Sequence, residues 1–198
     1  MKKVEPRDLC VTEGRVQDRG GGQMEVDSPA MRAVVSGSSP EVADLRFVYE
    51  GSTDQTSVLA DGEVRRQAGL KLRAADSCNV IYVIWRFEPE PRVVVSVKNN
   101  PGKHRHADCG DDGYQNVKPE RSSPVPRPSP GEEHAMQAML TGSDLRVLVD
   151  RELVWQGSVR IDDTPDGPVG IRTDNARLAF ELAALPGGWT TSCGAPSD

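Results

Sequence analysis

The stretch from Gly69 to Lys98 most constrains what this chain can fold into. It holds two runs rich in β-branched and aromatic residues, Val80 to Phe87 and Arg92 to Lys98, separated by the sequence Glu-Pro-Glu-Pro. A shorter apolar run precedes them. Strands joined by turns have this composition. The stretch therefore predicts a three-stranded antiparallel meander.

The pairing of the last two strands predicts two different faces. If Phe87 lies opposite Val93, then Trp85 lies opposite Val95, and alternation places these apolar residues on the core side. The remaining residues form a cationic and aromatic face, which we predict to bind a polar or anionic ligand. Its candidate binding residues are Lys71, Arg73, Tyr82, Arg86, Ser96 and Lys98. The alternative is an ordinary solvated face, because antiparallel sheets commonly leave one side wet.

Length and charge restrict the class of protein. The 198 residues are enough for a single large β domain. A net charge of -6 argues against a nucleic-acid partner, which would favour a basic surplus. No apolar run approaches the roughly 18 residues of a membrane span. We therefore expect one soluble domain with no nucleic-acid partner and no membrane span.

The rest of the chain predicts more short strands. Candidates lie within 24–49, 135–159 and 169–182, and the last range is expected to contain a hairpin that pairs Val169–Arg172 with Arg177–Leu182. About eleven short strands with little or no helix indicate an all-β, antiparallel two-sheet sandwich.

Loops and termini predict the domain organisation. Residues 1–13 are expected to be an N-terminal extension, 14–184 a single domain and 185–198 a C-terminal tail. The polar and proline-rich segment 99–134 predicts a long loop inside that domain.

The four cysteines predict two disulfides. Their wide spacing contains no Cys-x-x-Cys motif. Cys10 and Cys193 lie near the two termini, which often approach each other, while Cys78 begins the hairpin of the meander and Cys109 lies in the loop that leaves it. We therefore expect Cys10–Cys193 and Cys78–Cys109 in an extracytoplasmic protein, secreted or periplasmic, with its leader absent from this chain. The alternative is four reduced cysteines in the cytosol.

The C-terminal half resembles a known superfamily. His134 opens a strand that ends at Leu140, the strand Leu145–Val149 and a turn follow, and Asp166-Gly167 precedes Val169. This pattern is similar to the closing strands of concanavalin A-like lectin/glucanase domains, including laminin-G-like and bacterial 3-keto-disaccharide hydrolase-like domains. The resemblance implies a jelly roll with a polar concave face.

The residues needed for glucanase catalysis are not found. Retaining glucanases of this fold are expected to carry two carboxylates in a Glu-x-Asp-x-x-Glu strand, which this sequence lacks. The nearest pair, Glu88 and Glu90, is separated by proline in a turn. We therefore predict no catalytic residues and no cofactor. Loop calcium remains possible at Asp162-Asp163 or Asp174-Asn175, although these are also ordinary turn residues.

The resulting prediction is a noncatalytic binding module that recognises a carbohydrate or another polar partner, such as a surface protein. One alternative is a carbohydrate-active hydrolase or lyase of the 3-keto-disaccharide type. Another is a structural surface or envelope domain without a small ligand. The sequence leaves the oligomeric state open.

Overall fold

The computed structural model describes residues 1–59, 61–160 and 166–189. These ranges form sixteen strands, a 3-10 helix at Pro6–Asp8 and the short helix α1, His106–Cys109. The strands are β1 Lys2–Lys3, β2 Leu9–Glu13, β3 Gln17–Gly20, β4 Gln23–Val26, β5 Ala30–Val35, β6 Ser38–Ser52, β7 Arg66–Leu72, β8 Val80–Glu88, β9 Arg92–Lys98, β10 Tyr114–Asn116, β11 Arg121–Ser122, β12 Glu133–Thr141, β13 Asp144–Val149, β14 Glu152–Ser158, β15 Gly170–Asp174 and β16 Ala176–Pro186. The predicted all-β class is confirmed, with more strands than the eleven expected.

The strands form two antiparallel sheets. Sheet I has the order β11-β14-β13-β12-β6-β16-β4-β3, with β1 also paired to β16. Sheet II has the order β10-β9-β8-β7-β15-β5-β2. Phe47 of sheet I meets Trp85 and Phe87 of sheet II, each at 5.7 Å between ring centroids. The predicted sandwich is therefore confirmed, with its core between the sheets.

The predicted meander is present as β7-β8-β9 in sheet II. Its register differs from the prediction by two residues, since Trp85 pairs with Val93 and Arg86 with Arg92. The turn is therefore centred on Pro89 rather than on Glu90. Because side chains alternate with a period of two, this shift leaves every residue on its predicted face.

The predicted hairpin near the C-terminus is wrong. β15 pairs with β7 and β5 in sheet II, whereas β16 pairs with β6 and β4 in sheet I. Asn175, at φ 53°, separates the two strands. The chain crosses the sandwich here because both strands obtain their hydrogen bonds from distant partners rather than from each other.

The N-terminal segment belongs to the sandwich. β1 pairs with β16, and β2 pairs with β5. Residues 1–13 therefore supply strands to both sheets, which corrects the expected extension. Of the predicted tail, residues 190–198 lie outside the described residues.

The excursion predicted at 99–134 contains regular structure. It includes α1, and β10 extends sheet II beside β9 while β11 extends sheet I beside β14. Strand β12 already begins at Glu133.

One predicted disulfide is present. Cys78 and Cys109 are bonded, with their Cα atoms 5.9 Å apart, so α1 is joined to the start of β8. Cys193 lies outside the described residues, and its bond to Cys10 stays a prediction. In the part of the chain described, no helix is long and apolar enough to cross a membrane.

Candidate functional site

The predicted binding residues lead to the outer face of sheet II. Along β8 most residues are buried, on the outer face as well as the core face; Tyr82 is 6% exposed and Ile84 is 7% exposed. These two side chains belong to a second apolar cluster outside the main core, with Cys10, Val34, Ala74 and Val80. The middle of the outer face of this sheet is therefore not an ordinary solvated surface.

Cations and aromatic rings form a continuous line across this face. We call it the cation–aromatic row, and its members are Lys98, Tyr114, Tyr82, Arg172, Asp174 and Arg32. They come from β9, β10, β8, β15 and β5, so the row spans most of the width of sheet II.

The aromatic half of the row consists of stacked contacts. The rings of Tyr82 and Tyr114 are stacked at 5.9 Å between centroids. Lys98 Nζ lies 5.0 Å from the Tyr114 ring centroid, and Arg172 Cζ lies 4.9 Å from that of Tyr82. These are distances for cation–π attraction. Tyr114 is 40% exposed, so its ring is available at the surface.

The ionic half of the row is centred on Asp174, which is fully buried. Arg32 Nη2 donates to its Oδ1 at 2.5 Å, Arg172 Nε donates to its Oδ2 at 2.9 Å, and Gln67 Nε2 donates to Oδ2 at 2.7 Å. Burial by itself would raise the pKa of Asp174, but the two guanidinium groups outweigh burial and lower it. Asp174 is therefore held as a carboxylate and is not available as a catalytic acid.

Gly69 explains how Arg172 reaches Tyr82. Gly69 is the β7 residue paired with Arg172. A Cβ at Gly69 would lie 2.1 Å from Val83 O and 3.0 Å from Ile84 Cδ1, so only glycine fits. With no side chain at this position, Arg172 extends across β7 to the ring on β8.

Lys71 lies beside the row in an unusual environment. It pairs with Tyr82 on one side and Gly170 on the other, and it is only 6% exposed. Among the described residues its Nζ has no hydrogen bond or ion pair. Burial lowers the pKa of Lys71 to about 7, and the positive charges of Arg32 and Arg172 add to this lowering.

The six predicted site residues do not form one cluster in the structure. Lys71 and Tyr82 are strand neighbours, and Ser96 pairs with Tyr82 on its other side. Lys98, predicted opposite Tyr82, instead pairs with Val80. Lys98 is 1% exposed and donates to Gly110 O at 2.6 Å, so the loop after β9 covers it.

Arg73 and Arg86 lie apart from this group. Arg73 follows the end of β7 with φ 47°, and its guanidinium is 2.5 Å from Asp166. Arg86 lies four residues along β8 from Tyr82. Its Nε is buried without a hydrogen-bond partner in the described structure. Burial lowers the pKa of Arg86, as do the nearby cations Arg65 and Arg92. A binding role for either arginine stays a prediction.

Sequence reasoning did not assign four members of the row to this face. Tyr114 lay in the segment predicted as a long loop, and Arg172 and Asp174 in the strand and turn of the wrong hairpin. Arg32 lay in one of the apolar strands predicted within 24–49 and was not considered as a binding residue. The one available signal was a charge within a β-prone run, as at Arg32 in Met-Arg-Ala and Arg172 in Ile-Arg-Thr. That signal does not identify the partner, because the residues that meet are up to 142 positions apart.

The loops considered for calcium provide no site within the described residues. Asp174 is occupied by its two arginines, and Asn175 Nδ2 donates to Ser57 O and Arg65 O at 2.8 and 3.0 Å. Asp162-Asp163 lies outside the described residues. Elsewhere in the described ranges, no group of three or more His, Cys, Asp or Glu residues is arranged to hold a metal ion.

Solved structures share this architecture. The carbohydrate binding module CBM66 from Bacillus subtilis matches with a TM-score of 0.60 and 14% identity, covering 87% of this chain and 91% of that chain. The carbohydrate recognition domain of Emp47p matches with a TM-score of 0.52 and 12% identity, over 93% and 90%. LamAcat from Zobellia galactanivorans matches with a TM-score of 0.50 and 11% identity, over 91% and 90%.

No family model matches the chain, and no curated protein matches its sequence. At these low identities the structural matches establish the fold alone. The protein shares the two-sheet β-sandwich fold of these carbohydrate-binding domains, which is the fold that the resemblance of its C-terminal half predicted.

Proposed function

We propose that this protein is a noncatalytic carbohydrate-binding module whose ligand lies on the outer face of sheet II. The cation–aromatic row carries the proposal. Sugar recognition combines an aromatic surface for the apolar side of the ring with polar donors for the hydroxyl groups. Here the exposed Tyr114 ring lies beside Tyr82 and Arg172, and Lys71, whose Nζ has no hydrogen-bond acceptor among the described residues, lies next to Tyr82.

Two further observations support the proposal. The module CBM66 and the Emp47p domain, both described as carbohydrate-binding, share the fold across most of this chain. The Cys78–Cys109 disulfide favours an oxidising compartment, where secreted or periplasmic glycan-binding domains work. A surface protein as partner is the alternative ligand.

A glycan array followed by calorimetric titration tests the function. Saturable binding of at least one glycan is expected. Tyr114→Ala should weaken that binding about three- to tenfold, because the stacking surface is lost. Tyr114→Phe keeps the ring and serves as the matched control, with binding close to that of the unchanged protein. A folded protein that captures no glycan would contradict the proposal, and turnover of a bound disaccharide would favour the hydrolase alternative.

A further inference from the structure

Lys71 is the least explained group on the binding face. Its side chain is almost fully buried, yet no described residue accepts a hydrogen bond from Nζ. The arginines nearest to it are already bonded to Asp174. A buried ammonium without an acceptor is costly to a folded protein. A ligand that supplies an acceptor would remove this cost.

The charges around Lys71 determine which kind of acceptor group would bind beside it. Arg172 faces it from β15, Arg32 from β5 and Glu13 from β2. The uncharged Tyr82 faces it from β8. The carboxylate of Asp174 is shared by the two arginines, and Glu13 lies 3.8 Å from Arg32 and is exposed. The region therefore carries a local positive excess on a chain whose net charge is -6.

We propose that the face selects saccharides that carry a carboxylate or sulfate group, and that Lys71 together with Arg172 holds this group. The inference rests on the proposed function, because it names the class of glycan that the same face takes. Both residues have donors left for it. Arg172 uses Nε for Asp174, and among the described residues neither its Nη atoms nor Lys71 Nζ has an acceptor.

Glycine residues occupy the strand positions beside the two cations. On β7 and β15, Lys71 pairs with Gly170 and Arg172 pairs with Gly69. The two cations thus occupy one diagonal of this four-residue patch, and the glycines occupy the other. A Cβ at Gly170 would lie 2.1 Å from Ala33 O, so this position also requires glycine. No side chain separates the two cations at the floor of the site.

The binding should depend on pH in one direction. In the free protein Lys71 has a pKa of about 7, so it is an ammonium at pH 6 and mostly a neutral amine at pH 8. Only the ammonium attracts the anion. Because the apparent dissociation constant rises as the competent fraction falls, affinity should decrease about tenfold from pH 6 to pH 8.

The test uses the full chain at constant ionic strength with three probes: polygalacturonate, dextran sulfate and neutral dextran. Titration at pH 6 should show at least one anionic probe bound more tightly than neutral dextran. Lys71→Met should weaken the anionic probe at least about tenfold, as expected for the loss of a charge-assisted hydrogen bond. Lys71→Arg should retain the charge and abolish the change between pH 6 and pH 8, since guanidinium stays protonated.

Lys2→Met is the matched control, because it removes the same charge from an exposed position on sheet I. An equal loss of binding in Lys2→Met would overturn the inference in favour of general charge attraction. Binding of neutral and anionic glycans with equal affinity, unaffected by Lys71→Met, would overturn it while leaving the carbohydrate-binding function in place. Capture of no glycan on the array would instead refute the function itself.

Discussion

The outer faces of the two sheets carry arginine–aspartate pairs of the same spacing in very different environments. On sheet I, Arg46 lies 3.6 Å from Asp44 and Arg146 lies 2.8 Å from Asp144. On sheet II, Arg172 lies 2.9 Å from Asp174. In each case arginine and aspartate are two residues apart on one strand. The side chains of Arg46 and Arg146 are 66% and 54% exposed, whereas that of Arg172 is 14% exposed.

This difference separates a solvated face from the candidate binding face. Exposed ion pairs contribute about 0–1 kcal/mol, because water screens them and the side chains lose entropy. A buried pair is also weak evidence for added stability, but removing one partner leaves an uncompensated charge. Sheet I therefore presents an ordinary polar surface, and sheet II retains buried charge for which stability alone gives no reason.

The largest expected effect comes from removing the buried carboxylate. Asp174→Asn leaves Arg32 and Arg172 without their counter-ion and should lower the free energy of unfolding by about 3–5 kcal/mol. Asp144→Asn is the matched change on sheet I and should lower it by less than about 1 kcal/mol. Urea denaturation of both variants measures the difference, and equal losses would remove the contrast between the faces.

Lys71→Met should stabilise the protein. The folded pKa of Lys71, about 7, lies below the ordinary value of 10.5, so between these values the unfolded chain binds more protons and stability rises with pH. Below about pH 7 the cost is fully present, about 4–5 kcal/mol. The gain from Lys71→Met should therefore be largest near pH 6 and vanish near pH 10.

Urea denaturation across this pH range measures the gain, with Lys2→Met as the exposed control that should leave stability almost unchanged. A gain that does not shrink as the pH rises would show that packing rather than charge is responsible. Together with lost binding of the anionic probe, stabilisation would identify Lys71 as a group retained for function at the expense of stability.

Removing the Cys78–Cys109 disulfide tests whether the segment before β10 helps to position Tyr114. The double change Cys78→Ala and Cys109→Ala should cost about 2–4 kcal/mol, because the unfolded chain regains the freedom of the closed loop. It should also weaken glycan binding, since the segment from Cys109 leads into Tyr114 on β10. Thermal unfolding and titration measure the two effects, and unchanged glycan affinity would show that Tyr114 is positioned by β10 alone.

The smallest effect is expected at the far end of the candidate binding face. Arg86→Ala should weaken glycan binding by up to about tenfold, since Arg86 Nε lacks a partner in the described structure. Folding should change little, because the substitution also relieves repulsion from Arg65 and Arg92. Calorimetric titration measures the loss of glycan affinity, with Arg46→Ala on sheet I as the control variant. Unchanged affinity would confine the site to the region of Lys71 and Tyr82.

Much of sheet II could be predicted from local pattern. Alternation correctly assigned Trp85 to the core and Tyr82 to the outer face, because the period of two survives an error in register. The Cys78–Cys109 bond followed from its position around the meander. Lys71 also lies on the predicted face. The partners of this face could not be predicted, because Tyr114, Arg172 and Arg32 reach it from strands far apart in the chain.

The sequence by itself determined the β class, the faces of the meander and the spacing of the arginine–aspartate pairs at 44/46, 144/146 and 172/174. Only the tertiary structure decided which pair is buried. On β15, Asp174 is enclosed by the side chains of Arg32 from β5 and Gln67 from β7, and Arg172 lies over the ring of Tyr82 from β8. Strand alternation is a local property, whereas burial on the outer face depends on which strands become neighbours. An arginine–aspartate pair is therefore a pair of surface charges on sheet I, whereas on sheet II it is part of a candidate binding site.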